Sequence, residues 1–201
     1  MSPAAYADTA KGMPILALSQ ALTLRGKQKA VPGPVTDPRA ETLRRRYHRP
    51  FGGEELPVPV ESIAEDLLGL SINEDEELPV SGMLLPAERQ IWVNAREAQE
   101  SPGRRRFTVA HEVGHWVCQC LEGRTAPVYC RAEDVSVDAD RSLEKANVFA
   151  AECLMPEAAV RTEFSRGGDV AALFGVSGEA MSWRLYSFGL ANAPRQQPTQ
   201  R

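Results

Sequence analysis

A chain of 201 residues, 43% of them hydrophobic, can bury one substantial core and argues for one main domain with appendages. The formal net charge of −4 argues against a chain whose main task is to coat nucleic acid, and the basic runs LRRRYHR (43–49) and RRR (104–106) read as solvated helix faces or helix starts. No apolar run approaches the ~20 residues that cross a bilayer, and MPILAL (13–18) is short and interrupted by Pro14, so a cytoplasmic, membrane-free protein is expected, its four cysteines kept as thiols.

Residues 1–38 lack sustained periodicity and end in VPGPVTDP, which predicts a weakly ordered arm with at most one short helix through LALSQALTL. A helix is expected from Pro38 to Tyr47, stopped by Pro50 and the Gly52-Gly53 pair. PVPVESIAEDLLGL predicts a second helix, with Ile63, Leu67 and Leu70 on one face and Gly69 near its end. SINEDEEL, SGMLL and QIWVNA follow as short strands, together a sheet of about three. After Pro102-Gly103, apolar residues recur at Phe107, Ala110, Gly114, Val117 and Leu121, a helical period closed by Gly123 and apolar almost all round, hence a central buried helix. A polar loop leads to SLEKANVFAAECLMP, where Ser142 is the expected cap of a helix that stops before Pro156. The segment DVAALFGVSGEAMSWRLYSFGL reads as a helix, a turn at Gly175 and a second helix capped by Ser177.

The central helix carries His111-Glu-Val-Gly-His115 and so two of the three histidines. Residues four apart on a helix differ by about 40° in azimuth and about 6 Å in rise, so both imidazoles point at a common centre. Such a centre suits zinc, which in catalytic sites takes three protein ligands and leaves a fourth position for water. Glu112 lies off the line between the histidines, where its carboxylate can take a proton from that water and later deliver it to a departing amine. In a chain of this composition the H-E-x-x-H pattern arises by chance on the order of 0.4% of the time, and two imidazoles with a carboxylate are costly on a buried helix unless something pairs with them. Candidates for a third ligand are Asp134, Asp138, Asp140, Glu144 and Glu152. Helical rise puts Glu144 and Glu152 about 12 Å apart, so only one of them can ligate, and position alone does not choose.

Two other signals have competing readings. Cys118 and Cys120 point about 200° from one another on a helix, so they cannot share a metal, and packed thiols are expected there and at Cys130 and Cys153. The helix-turn-helix cadence of LFGVSGEAMSWRL admits a DNA-binding regulator, but Arg184 is the only cation of its second helix, so packing is the expected role.

The motifs RRRFTVAHEVGHW, VYCR, EKANVFAAECLMP and DVAALFGVSGEAMSWRL, preceded by LPVPVESIAEDLLGL and SGMLLPAERQIWVNA, resemble those of the ImmA/IrrE family of metallo-endopeptidases over about residues 40–190. The resemblance implies that Glu144, the glutamate opening EKANVFAAECLMP, is the third zinc ligand beside His111 and His115. Asn147, Phe149 and Ala150 keep the family's pattern, while the apolar pair before Met-Pro is altered to Cys153-Leu154, a change expected to affect packing only. It further implies an α+β, zincin-like fold: a small sheet packed on the buried H-E-x-x-H helix, further helices and a helix-turn-helix-like tail. An edge strand, assigned to QIWVNA, would border the cleft and add to an extended substrate.

The expected organisation is an arm (1–38), a zinc metallopeptidase domain (39–162), its helical C-terminal part (163–190) and a disordered tail (191–201). The implied activity is that of a cytoplasmic, zinc-dependent regulatory endopeptidase with Glu112 as catalytic base. Its implied protein substrate is a helix-turn-helix repressor, with no direct contact to nucleic acid or membrane. The alternatives are a DNA-binding regulator, or a toxin–antitoxin or phage-borne partner whose binding matters more than its cleavage. Tyr129, Arg131, His48 and Tyr186 stand unranked as oxyanion-stabilising candidates.

Overall fold

The computed structural model describes residues 36–51, 55–119, 128–129 and 137–192. Residues 1–35 of the expected arm and 193–201 of the expected tail, the end of the central helix at Gly123, the Gly52-Gly53 stop, and Cys120, Cys130, Arg131 and Asp134 lie outside these residues, while 36–38 lead into the first helix. Helix α1 (Pro38–His48) opens with Pro38 at its first turn, and the Asp37 side chain accepts from Arg39 N. Helix α2 (Val60–Ser62) widens into a π-helical turn (Ile63–Leu67), which ends at Gly69 with φ of 64°. Strands β1 (Ser71–Asp75), β2 (Gly82–Leu85) and β3 (Gln90–Asn94) follow. Helix α3 (Ala95–Glu100), capped by Asn94, was not expected: AREAQE is made of good helix formers but has no apolar stripe to reveal it. Helix α4 (Pro102–Gln119) bears the histidine pair, β4 (Val128–Tyr129) is a two-residue strand, and α5 (Val137–Leu154) bears Glu144. Because α5 already begins at Val137, Ser142 lies inside the helix and does not cap it.

The chain ends in α6 (Glu157–Arg166), α7 (Val170–Phe174) and α8 (Gly178–Ser187). Gly175, left-handed at φ of 61°, turns the chain between the last two, and Ser177 caps α8 by accepting from Ala180 N. The helical reading of this segment holds in detail.

The sheet has four strands in the order β1-β3-β2-β4. Strand β3 is therefore central, pairing parallel with β1 and antiparallel with β2, and the assignment of QIWVNA to the edge is overturned. The physical reason is burial on one face and pairing on both sides. Ile91 and Val93 are fully buried against α4, whereas β1, with exposed Ser71 and Glu74, takes the outer position. A charged outer strand also discourages unwanted pairing.

One core joins the Leu84, Ile91 and Val93 face of the sheet to α4, α5 and the C-terminal residues Val160, Phe174, Met181 and Phe188. Met83, Leu85 and Trp92 on the opposite face pack with Leu78 and Val80 in a smaller cluster. This is an α+β architecture in which the sheet lies on the histidine-bearing helix. Among the described residues no helix is long and apolar enough to cross a membrane.

Candidate metal centre

Helix α4 is buried from Phe107 through His115, as its all-round apolarity requires. Two glycines let it sit so deeply. A Cβ built at Gly114 would stand 3.0 Å from the Ala146 carbonyl oxygen and 3.1 Å from its Cα, so α4 and α5 touch backbone to backbone at that level. A Cβ at Gly82 would stand 2.5 Å from Thr108 Cγ2 and 2.7 Å from Glu112 Oε1, so β2 passes directly over the motif's glutamate. Glu112 itself is fully buried.

The two imidazoles meet as their spacing predicts. Their Nε2 atoms are 2.9 Å apart, with ring centroids 4.6 Å apart at 80°. Two nitrogens each about 2.0–2.1 Å from one tetrahedral ion would be separated by about 3.3 Å, so the pair needs only a small opening to hold one. On the far side of the ring, His111 Nδ1 donates to Asn147 Oδ1 over 2.8 Å. Burial pushes the His111 imidazole down to about 4, against its hydrogen bond to Asn147, and burial with the neighbouring His111 holds His115 well below its ordinary range. Both rings are thus neutral near pH 7, the form that ligates metal.

Glu144 is exposed and sits one turn ahead of Asn147 on α5. Among the described residues no group of three His, Cys, Asp or Glu side chains converges to hold a metal, so two donors are assembled and Glu144 has not joined them. Glu152 points elsewhere. Its Oε2 accepts from Arg184 Nη2, its Oε1 lies 3.9 Å from Arg44 Nη2, and its backbone oxygen accepts from Arg44 Nη1 over 2.6 Å. For Tyr129, Asp138 and Asp140 only the backbone, in β4 and α5, is described. Of the remaining oxyanion candidates, His48 is buried on α1 beside Tyr47, and Tyr186 is half-buried on α8 beside Trp183.

Sequence reasoning did not assign a role to Asn147 or Gly82. A polar residue three positions after Glu144 was the available signal for Asn147; nothing local marks Gly82, because its constraint comes from a helix more than twenty residues away in sequence. The basic run at the start of α4 is half-buried and taken up in ion pairs. Arg104 pairs with Glu97 at 2.7 Å, Arg105 with Glu61 at 2.9 Å and Glu74 at 2.8 Å, and Arg106 with Glu61 at 3.1 Å. Arg184 is 5% exposed, bound to Glu152 and, through Nε, to the Met155 carbonyl, and so is withdrawn from any phosphate. Cys118 and Cys153 are buried, as packing thiols are.

Fold and site together define a small α+β protein organised around a histidine pair and a carboxylate on a buried helix. The chain belongs to the IrrE N-terminal-like domain family, peptidase M78, whose pattern matches residues 71–186. This agrees with the resemblance drawn from its motifs. Comparison with curated protein sequences finds no match. Among solved structures, a Mycobacterium tuberculosis transcriptional regulator is similar in fold, with a TM-score of 0.52 and 20% identity over 75% of this chain and 47% of that one. The chain thus spans about half the length of that protein.

Proposed function

We propose that the chain is a zinc-dependent endopeptidase that cuts a protein substrate, its metal held by His111, His115 and Glu144. The observation that carries the reading is the buried, neutral histidine pair with Nε2 atoms 2.9 Å apart and the buried Glu112 carboxylate on the same helix. When bound, zinc supplies Lewis acidity toward a carbonyl and lowers the pKa of water. The protein's own groups do the rest. Glu112 takes the proton of the attacking water and returns it to the departing amine, while β2 over Gly82 and helix α5 at Gly114 keep bulk water from the carboxylate and the rings.

The proposed substrate is a helix-turn-helix repressor, an assignment resting on the family's character as first seen in the motifs. The ion pairing of Arg105 and Arg106 and the burial of Arg184 favour a protein substrate over direct DNA contact. Zinc quantification on Glu112→Gln and Glu144→Ala tests the division of roles. Glu112→Gln should retain zinc and lose about 10²–10⁴-fold in hydrolysis, whereas Glu144→Ala should lose metal. Full zinc retention in Glu144→Ala would move the third ligand to Asp134, Asp138 or Asp140. Co-expression with a helix-turn-helix repressor, should one be encoded near the gene, tests the substrate: loss of intact repressor with wild type alone supports proteolysis, and equal derepression by Glu112→Gln would make binding the function.

A further inference from the structure

We propose that Asn147 is a positioning residue that holds the proton of His111 on Nδ1, and so keeps the Nε2 lone pair of that ring turned toward His115. The inference rests on the metallopeptidase reading of the same site. A neutral imidazole carries one proton on either of two nitrogens, and only the ring protonated at Nδ1 can ligate through Nε2. An amide oxygen accepts and never donates. With Asn147 Oδ1 at 2.8 Å, His111 Nδ1 must carry the proton, and the Nε2 atom 2.9 Å from His115 is the unprotonated one. His115 Nε2 then donates to it, and the proton of His115 must shift to its Nδ1 before that ring can ligate.

The backbone explains why so short a side chain reaches the ring. Gly114 precedes His115, Ala146 precedes Asn147, and these two neighbours are where α4 and α5 touch. With no side chain between the helices, an asparagine on one spans to an imidazole on the other. Had the amide been turned with its nitrogen toward the ring, it would donate to Nδ1 and force the proton to Nε2, into the space a ligand needs. An aspartate would also accept, but would add a negative charge; the amide sets the tautomer while leaving the charge of the pair unchanged.

Long-range proton–nitrogen correlation spectra of the metal-free protein, labelled at its imidazoles, read which nitrogen of His111 is protonated. Wild type should show Nδ1–H. Asn147→Leu, and Asn147→Ala as a second variant lacking the acceptor, should move His111 toward Nε2–H, and Asn147→Asp should restore Nδ1–H. In competition with a chelator, the two acceptor-less variants should bind zinc roughly 10–100-fold more weakly than wild type, with recovery in Asn147→Asp. Thermal unfolding of the metal-free variants separates this from loss of fold. Nε2–H in wild type, or an unchanged tautomer in both Asn147→Leu and Asn147→Ala, overturns the proposal, as does a zinc affinity measurable in wild type and unchanged in both variants. A tautomer set by Asn147 in a wild type that binds no zinc would leave this assignment standing and sink the metallopeptidase reading instead.

Discussion

His111 and His115 are buried without a charge, and that makes acid a threat to the metal-free protein. The unfolded chain protonates histidine near its ordinary pKa of about 6.5, while burial holds His111 in the folded state near 4 and His115 also well below its ordinary value. Between those values the unfolded state binds more protons, so stability must fall as pH drops through 6.5 and the loss from His111 must level off below about 4. The steepest slope is up to about 1.4 kcal/mol per pH unit for each ring. Urea midpoints of the metal-free protein between pH 7 and pH 5 should show this decline, and Asn or Gln in place of both rings should flatten it. A wild-type midpoint that does not move over that interval would mean that the imidazoles are solvated. Glu112 is the other residue whose surroundings are unforgiving, since the backbone at Gly82 closes over it.

Between α4 and α5 the tolerance is set by atoms that cannot step aside. The groups that a Gly114 methyl would meet are the Ala146 carbonyl oxygen and Cα at 3.0 and 3.1 Å and Phe149 Cβ at 3.2 Å. Gly114→Ala should therefore force the helices apart at a cost of about 1–3 kcal/mol and stretch the hydrogen bond from His111 to Asn147. A crystal structure or the unfolding midpoint of that variant checks this, and wild-type stability with the bond intact would contradict it. The same elements show what the sequence makes legible. The histidine helix, the Gly175 turn and the Ser177 cap follow from local period and capping chemistry, so they were readable. The place of β3 in the sheet depends on which partners cover it, and the resemblance that put QIWVNA at the edge carries no information about that order. Ser142 misled because a good cap residue can also lie within a helix whose start is fixed elsewhere. The histidine pair was legible in full, its support from Asn147 only as a motif residue without a role, and the convergence of Glu144 is not seen in the structure.

Across the described residues, the first and last helices are tied through one residue, Glu152. Arg44 of α1 and Arg184 of α8 both reach Glu152 of α5, and Arg184 also lies over the Phe188 ring at 4.4 Å. Burial raises the Glu152 carboxyl and lowers the Arg184 guanidinium from their ordinary ranges, against their mutual attraction, so the tie is costly to desolvate and serves to fix one arrangement of helices. Arg184→Met should cost about 3–5 kcal/mol by leaving the carboxylate short of a partner, and adding Glu152→Leu should recover part of it. Additive losses in the double variant, measured by urea unfolding, would show that no such coupling exists. The pairing of His111 with Asn147 has a consequence for the order of events in folding. The two residues are 36 apart in sequence, and closing a loop of that length costs on the order of 3 kcal/mol in its length-dependent part. The oriented nitrogen therefore does not exist in the unfolded chain; an ion that needs it binds the native state alone, and its free concentration becomes a term in the folding equilibrium.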